Sequence, residues 1–475
     1  MRPASSRGLS DALVCFGASG DLAHKKIFPA LFAMAKRRAL KFPVIGVARS
    51  DWSPTQFRNR VTDSIEKSGS GVDDRRALNV LLSSLSYVSG DYGSESTFTA
   101  LKEALGGRRR PAHYLAIPPA LFGLVIKSLG TAGLAHGGRV IVEKPFGLDL
   151  DSARRLNAIA RSVFAEDAIF RIDHFLGNEA VENLLYFRFA NSFLEPIWNR
   201  NHISSVQITL AEAFGVGDRG ALYDGLGCLR DVVQNHMFQI VALLAMEAPA
   251  AFEQNALRSA KLKVFQAIRP LTPGDLVRGQ FKGYRSVPGV AKRSDVETFC
   301  AARLHIDSAR WKGVPWYLRS GKRLATTAAE VRVELKQPLL HMFAGVPEVP
   351  PDYIRFRLSP GPAVAFAVRI KRSDKKFAGE QREMFLLDEQ PEEPSAYERL
   401  LSDAMAGDGT LFNGEAGVEA AWAVVDPVLK NHRRAWPYAP GSWGPKQADR
   451  LLVAGDSWHP PQKRLAGGGR EARPT

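Results

Sequence analysis

In the first third of the chain, short apolar runs alternate with stretches of helical spacing. ALVCFGASG (residues 12–20) is an apolar run that enters a glycine turn. LFAMAKRRAL (31–40) repeats its apolar positions at helical spacing, and FPVIGVARS (42–50) reads as a second buried strand. AHYLAIPP (112–119) and GRVIVEKPF (138–146) read as further strands, with helical stretches between them. Strands alternating with helices predict a parallel, doubly wound sheet, which binds its ligand at the carboxyl ends of its strands.

Beyond about residue 172 the texture changes. VENLLYFRFANSFLEPIW (181–198) predicts one long helix, and SSVQITLAEAF (204–214) contains a strand. RDVVQNHMFQIVALLAM (230–246) has helical spacing, with Val233, Met237, Ile240, Val241 and Leu244 on one face. The later runs 330–338, 353–360 and 363–372 alternate with the period of a strand and have no helix between them, which predicts a largely antiparallel sheet. The expected fold class is therefore an α/β Rossmann domain plus a larger α+β domain with a mostly antiparallel sheet. The expected boundaries are 10–172 for the first domain and 173–460 for the second. The tail 461–475 is too rich in Gly, Pro and Arg to pack and is expected to be disordered.

Composition changes this picture little. A chain of 475 residues fits two domains, and 45% hydrophobic with 24% charged residues is ordinary for a protein that buries a core. No apolar run approaches the roughly 20 residues that span a bilayer, and the apolar stretch before Gly17 reads as a first strand rather than a signal peptide. Membrane association is not expected. Cys15, Cys228 and Cys300 are odd in number and widely spaced, without a metal-ligand pattern, so no metal is expected. They read as reduced, buried side chains of a cytoplasmic protein. The net charge of +15 invites a nucleic-acid reading. Part of it, however, sits in Arg108-Arg109-Arg110 and in the tail from Lys463 to Arg473, beside glycine and proline, with no stacking platform or recognition helix nearby. Anionic small ligands fit better than nucleic acid.

Three clusters carry chemistry. Gly17-Ala18-Ser19-Gly20-Asp21-Leu22-Ala23 follows a strand and opens a helix. Gly17 permits a tight turn, Gly20 lets backbone approach a pyrophosphate, and the helix N-terminus favours an anion. Glycine is common in strand-to-helix turns, so the spacing alone leaves the ordinary turn open. The second strand adds a sharper signal: Arg49 stands where NAD-binding folds place an acid for the ribose 2′-hydroxyl. A guanidinium there suits the 2′-phosphate of NADP; the bland alternative is a solvated arginine at a strand end. The third cluster joins Asp173-His174 of RIDHFLGNE to Asp231, Gln234, Asn235 and His236, polar residues within an otherwise apolar helical segment. Buried polar groups need partners, and one solution pairs Asp173 with His236, leaving the second imidazole nitrogen as a base. Taken alone, His236 reads as a satisfied core histidine.

Taken together these stretches resemble the glucose-6-phosphate dehydrogenase family. The resemblance runs over most of the chain: GASGDLAHKKIFPALF (17–32), VEKPFG (142–147), RIDHFLGNE (171–179), RDVVQNHMFQ (230–239), GVPWYLRSGKRL (313–324) and PGSWGPKQAD (440–449), in that order. The Glu-Lys-Pro element also resembles sugar oxidoreductases of the Gfo/Idh/MocA type, which lack the later motifs. The resemblance implies oxidation of C1 of glucose 6-phosphate to 6-phosphogluconolactone with NADP, in the oxidative pentose phosphate pathway of the cytoplasm, by a homodimer or homotetramer. It makes His236 the general base and Asp173 its orienting partner. It places Gly17, Ser19, Gly20, Asp21, Leu22, Arg49 and Lys144 on the cofactor. Lys26, Lys144, Glu212 and Asp231 match sugar-binding positions; His174, Lys322 and the position of Asn178 match the phosphate end.

Three departures follow from the same comparison, two of them at cationic positions. The family motif places lysine where this chain has Asn178, and Phe175 stands where many relatives have tyrosine. Thr327 stands where relatives carry Lys or Arg. Each missing cation removes a charge-assisted contact of about 1.5–3 kcal/mol. Three readings stay open: glucose 6-phosphate oxidation with weakened phosphate binding, oxidation of an unphosphorylated or differently substituted hexose, and a non-catalytic NADP-binding relative.

Overall fold

The computed structural model describes residues 8–69, 71–338, 350–373, 379–387 and 394–461. The chain forms two compact units: the first comprises Met1–Glu182, Met246–Lys263 and Glu392–Trp422, and the second Asn183–Ala245, Val264–Pro391 and Ala423–Thr475.

The first unit is built on a six-stranded parallel sheet of β1 (Ala12–Phe16), β2 (Val44–Ala48), β3 (Leu85–Ser89), β4 (Pro111–Leu115), β5 (Arg139–Val142) and β6 (Ile169–Arg171). Its order is β3-β2-β1-β4-β5-β6, the Rossmann order, which reverses direction between β1 and β4 and opens a crevice at that point. β1, β2, β4 and β5 are buried along their whole length, as apolar runs without alternation require. β3, with its half-exposed edge pattern, and the three-residue β6 lie outside the strands expected from apolar runs. The helix expected over 31–40 instead runs Phe28–Lys36 and is preceded by a widened π-helical turn, Ala23–Ile27. It stops where Arg38 turns to φ +58°. Arg108, Arg109 and Arg110 lie in an exposed loop, and two of their backbone N–H groups bond the Asp11 carboxylate at 2.9 Å.

The second unit carries a nine-stranded sheet: β7 (Ile203–Ala211), β8 (Leu276–Phe281), β9 (Phe299–His305), β10 (Pro315–Gly321), β11 (Ala328–Leu335), β12 (Tyr353–Ser359), β13 (Ala363–Lys371), β14 (Gly379–Leu387) and β15 (Trp436–Tyr438). The order is β14-β13-β12-β11-β7-β10-β9-β8-β15, and only β7 with β10 and β8 with β15 run parallel. The expected pair of sheets, one parallel and one largely antiparallel, is present. The long helix expected over 181–198 is interrupted: it runs Glu179–Ala190 and resumes as a single turn, Leu194–Ile197. Asn191 stops it by turning its side-chain amide onto the Phe187 carbonyl at 2.8 Å, the local competition with helix for which asparagine is known. The segment 230–246 is a π-helical turn, Leu229–Met237, continued by the α-helix Phe238–Ala245.

All three cysteines are buried and unpaired, and burial pushes the Cys15 thiol up to about 12. Among the described residues no helix is long and apolar enough to cross a membrane. The basic stretch 463–473 and nearly all of the tail from residue 461 lie outside the described residues.

Candidate active site

At the carboxyl end of β1 the backbone turns at Gly17, where φ is +82° and a Cβ would stand 2.1 Å from the Ala116 carbonyl oxygen, so only glycine fits. Gly20 N–H closes the turn onto Gly17 C=O at 2.9 Å, and Gly17 N–H points to Val47 C=O and to the Tyr92 hydroxyl, each at 2.9 Å. Asp21 then pairs with Lys25 one turn on, at 2.7 Å, and the hydrogen bond and charge of Lys25 hold its carboxyl below the usual range. Ser19 and Leu22 are partly exposed at the turn, and Lys26 projects into solvent from the π-helical turn. A glycine turn too close-packed for a side chain, opening a helix at the switch point of a Rossmann sheet, fits a dinucleotide pyrophosphate. Arg49 follows β2 at the same edge and forms an ion pair with Asp91 at 2.8 Å.

β5 delivers Glu143-Lys144-Pro145. Glu143 is buried; Tyr114 donates its hydroxyl hydrogen to Oε1 at 2.5 Å, and Tyr397 bonds the same carboxyl. Burial raises the Glu143 carboxyl above its ordinary range, and burial with the nearby Glu143 charge pushes both tyrosine hydroxyls up. The Tyr397 ring stacks on His174 with centroids 6.0 Å apart and planes 16° from parallel. A tyrosine-carboxyl-tyrosine chain thus links the backbone beside Lys144 to the imidazole expected at the phosphate end.

After β6 the chain enters a 3₁₀ turn, His174–Gly177, capped by Asp173, whose Oδ1 accepts from Phe175 N–H at 3.0 Å. Asp173 is 2% exposed. The Asn178 Oδ1 accepts from Ala180 N–H at 3.1 Å, and its carbonyl receives Val181 and Glu182 N–H, so Asn178 caps the helix Glu179–Ala190. Buried Lys261 donates to Asn413 Oδ1 at 3.1 Å, while Asn413 N–H reaches Arg171 C=O, two residues before Asp173. Burial lowers the Lys261 ammonium to about 7, against the opposing pull of the Asp173 charge.

In the second unit, the parallel neighbours β7 and β10 end side by side, Ala211 against Gly321. The next residues, Glu212 and Lys322, form an ion pair. Lys322 is 3% exposed, its carbonyl receives the Tyr438 hydroxyl at 2.6 Å, and its ammonium lies 5.5 Å from the centre of the Tyr223 ring. Asp231, whose charge helps raise the Tyr223 hydroxyl after burial, stands in the π-helical turn Leu229–Met237 together with buried His236. Thr327 Oγ1 accepts from Ala213 N–H at 3.0 Å and pins the loop that follows Glu212.

The expected residues therefore gather in four places: Gly17 to Lys26 with Arg49; Lys144 with Asp173, His174 and Asn178; Glu212 with Lys322; and Asp231 with His236. Asp173 belongs to the first unit and His236 to the second. Sequence reasoning missed Asp91, Tyr92, Tyr114, Glu143, Tyr397 and Lys261. Lys261 left a signal: it stands four residues after buried Leu257, on an apolar helical face where an ammonium needs a reason. The π-helical form of both segments carrying Lys26, Asp231 and His236 left none, although such turns recur at functional sites.

Two family models match in tandem: "Glucose-6-phosphate dehydrogenase, NAD binding domain" over residues 14–183 and "Glucose-6-phosphate dehydrogenase, C-terminal domain" over residues 185–459. The chain is 42% identical over 459 residues to glucose-6-phosphate 1-dehydrogenase 1 of Mycobacterium tuberculosis, covering 96% of this chain and 97% of that one. It is 36% identical to the cytoplasmic glucose-6-phosphate 1-dehydrogenase 6 of Arabidopsis thaliana, covering 95% and 93%. Among solved structures, glucose-6-phosphate 1-dehydrogenase from Mycobacterium avium matches with a TM-score of 0.88 and 41% identity, over 95% of this chain and 99% of that one. A glucose-6-phosphate dehydrogenase in complex with glucose 6-phosphate matches with a TM-score of 0.88 and 33% identity, over 97% and 100%. With the two models together matching residues 14–183 and 185–459, the chain belongs to the glucose-6-phosphate dehydrogenase family.

Proposed function

We propose that this oxidoreductase removes hydrogen from C1 of glucose 6-phosphate, giving 6-phosphogluconolactone, with NADP as the acceptor. The observation that carries the reading is the match of both family domains in tandem on a chain that keeps Asp173 and His236. His236 takes the proton of the C1 hydroxyl, and Asp173 orients the imidazole and stabilises its protonated form. NADP held at the glycine turn would supply the acceptor for the hydride of C1. Lys26, Lys144, Glu212 and Asp231 hold sugar hydroxyls, and His174 and Lys322 face the phosphate. Gly17, Ser19, Gly20, Asp21 and Leu22 take the pyrophosphate end of the dinucleotide with Lys144 near the nicotinamide, while Arg49 reads the 2′-phosphate. A homodimer or homotetramer in the cytoplasm accords with this role, and light scattering of the purified protein measures the assembly.

One pair of observations favours a second reading, an NADP-dependent dehydrogenase of an unphosphorylated or differently substituted hexose. At the two positions where the family resemblance implies cations, Asn178 and Thr327 offer neutral oxygens already bonded to Ala180 and Ala213 N–H. The deciding experiment compares kcat/KM for glucose and glucose 6-phosphate with NADP. A preference for the phosphorylated sugar supports the first reading, and a preference for glucose supports the second.

A further inference from the structure

We propose that Asp91 is a specificity-determining residue: it holds Arg49 in an ion pair that competes with the 2′-phosphate of NADP and so narrows the gap between NADP and NAD. The proposal rests on the reading of Arg49 as the 2′-phosphate ligand.

The pairing is built into the backbone. β2 and β3 run parallel, with Ala48 beside Ser89, and Gly90 N–H continues the ladder to Ala48 C=O at 3.0 Å. The residues that follow, Arg49 on one strand and Asp91 on the other, are thereby delivered to the same corner. Gly90 is required there, because a Cβ would stand 2.2 Å from Thr97 Oγ1. The Asp91 turn is fixed as well: its carbonyl accepts from Thr97 Oγ1 at 2.8 Å and from Ser94 N–H at 3.1 Å. Both oxygens of its carboxylate are engaged, with Oδ1 accepting from Gly93 N–H at 2.7 Å and Oδ2 meeting Arg49 Nη2 at 2.8 Å. The next residue, Tyr92, bonds Gly17 N–H and donates to Val47 C=O. One short turn therefore braces both the pyrophosphate turn and the arginine of the ribose corner.

This arrangement opposes a 2′-phosphate twice. Arg49 must leave or share Asp91 before it serves the phosphate, which raises the apparent dissociation constant by the inverse of the fraction of time that Arg49 is unpaired. The carboxylate also repels the incoming dianion. NAD has a hydroxyl at that position, so its binding leaves the Arg49–Asp91 pair in place. Both side chains are more than half exposed, at 63% and 53%, so the pair is screened and its hold on Arg49 is roughly two- to fivefold. With the repulsion added, removing the Asp91 charge is expected to tighten NADP about three- to tenfold.

The test titrates NADP and NAD by calorimetry into the sugar-free, full-length protein as wild type, Asp91→Asn, Arg49→Ala and the double variant. Asparagine keeps a neutral acceptor for Gly93 N–H, so the turn is retained, and an unchanged unfolding midpoint checks this. The expected result is NADP tightened about three- to tenfold in Asp91→Asn, NAD changed by less than about twofold, and a smaller Asp91→Asn effect when Arg49 is already alanine. NADP affinity that is unchanged or weaker in Asp91→Asn, or NAD tightened equally, overturns the proposal. If Arg49→Ala still weakens NADP selectively in that case, the reading of Arg49 stands and only Asp91 falls. An Arg49→Ala variant that weakens both dinucleotides equally removes the reading of Arg49 and the proposal with it.

Discussion

The Asn178 side-chain oxygen accepts from Ala180 N–H, so the residue that the family resemblance implies at the substrate's phosphate end works as a helix cap. A lysine cannot accept that hydrogen bond. Asn178→Lys therefore exchanges a cap of about 0.5–2 kcal/mol for a cation aimed at the substrate phosphate. The expected outcome is an unfolding midpoint lower by a few degrees, a KM for glucose 6-phosphate lower by roughly tenfold, and kcat nearly unchanged. The KM for glucose should not improve. A variant with an unchanged KM for glucose 6-phosphate shows that the site already supplies its phosphate charge elsewhere.

His236→Asn should fold normally and lose about three or more orders of magnitude in kcat with little change in sugar KM, because the proton acceptor acts in the transition state. Asp173→Asn should lose less, since it orients the base rather than taking the proton itself. Single-turnover absorbance at the reduced nicotinamide band measures both. Near-normal turnover in His236→Asn would end the assignment.

What could be read from the sequence follows from how each signal is generated. β1, β2, β4 and β5 are buried on both faces, and such strands show themselves as largely apolar runs, here broken only by His113 inside β4 and Arg139 at the start of β5. β3 lies at a sheet edge with half-exposed residues and β6 has only three, so neither produces such a run. β8, β9 and β10 were hidden because their interiors carry Arg278, Arg303 and Arg319, charges that each find a partner in the fold but break the apolar pattern. For the site, motifs local in sequence were legible: the glycine turn, Arg49, Glu-Lys-Pro and Asp-His. Groups that act across long sequence separations were not. Tyr397 meets Glu143 and His174, and Asp91 meets Arg49, only because the sheet and its connections bring them there.

Lys261 makes a pH-dependent prediction. Burial lowers its ammonium to about 7 in the folded protein, against roughly 10.4 in the unfolded chain. Between those values the unfolded state binds more protons, so this residue makes stability rise as pH increases from about 7 toward 10. Below about 7 the folded protein carries the charged form and its full burial cost. Lys261→Met removes this term. The unfolding midpoint of the variant relative to wild type should therefore be higher at pH 7 than at pH 9.5, by a difference equivalent to about 1–3 kcal/mol. Other groups that titrate in this range are common to both proteins and cancel in the comparison. A difference that does not vary with pH would mean that Lys261 keeps an ordinary, charged ammonium in the folded protein throughout this range.

Tyr397 separates two roles within one side chain. Its hydroxyl bonds buried Glu143, and its ring stacks on His174. Tyr397→Phe removes only the first: Tyr114 still donates to Glu143, but one donor to a buried carboxyl is gone, at a cost of about 1–3 kcal/mol in stability. The ring remains, so the KM for glucose 6-phosphate should stay within about twofold. Tyr397→Leu removes the ring as well and frees the imidazole from its stacked orientation, which should raise that KM by roughly five- to twentyfold with kcat less affected, as expected when uniform binding is lost. Measuring both variants on glucose adds a control: if His174 serves the phosphate end, the leucine variant should lose little on the unphosphorylated sugar. If phenylalanine raises the KM as much as leucine does, it is the bond to Glu143 that sets the imidazole, and the stacked ring is only packing.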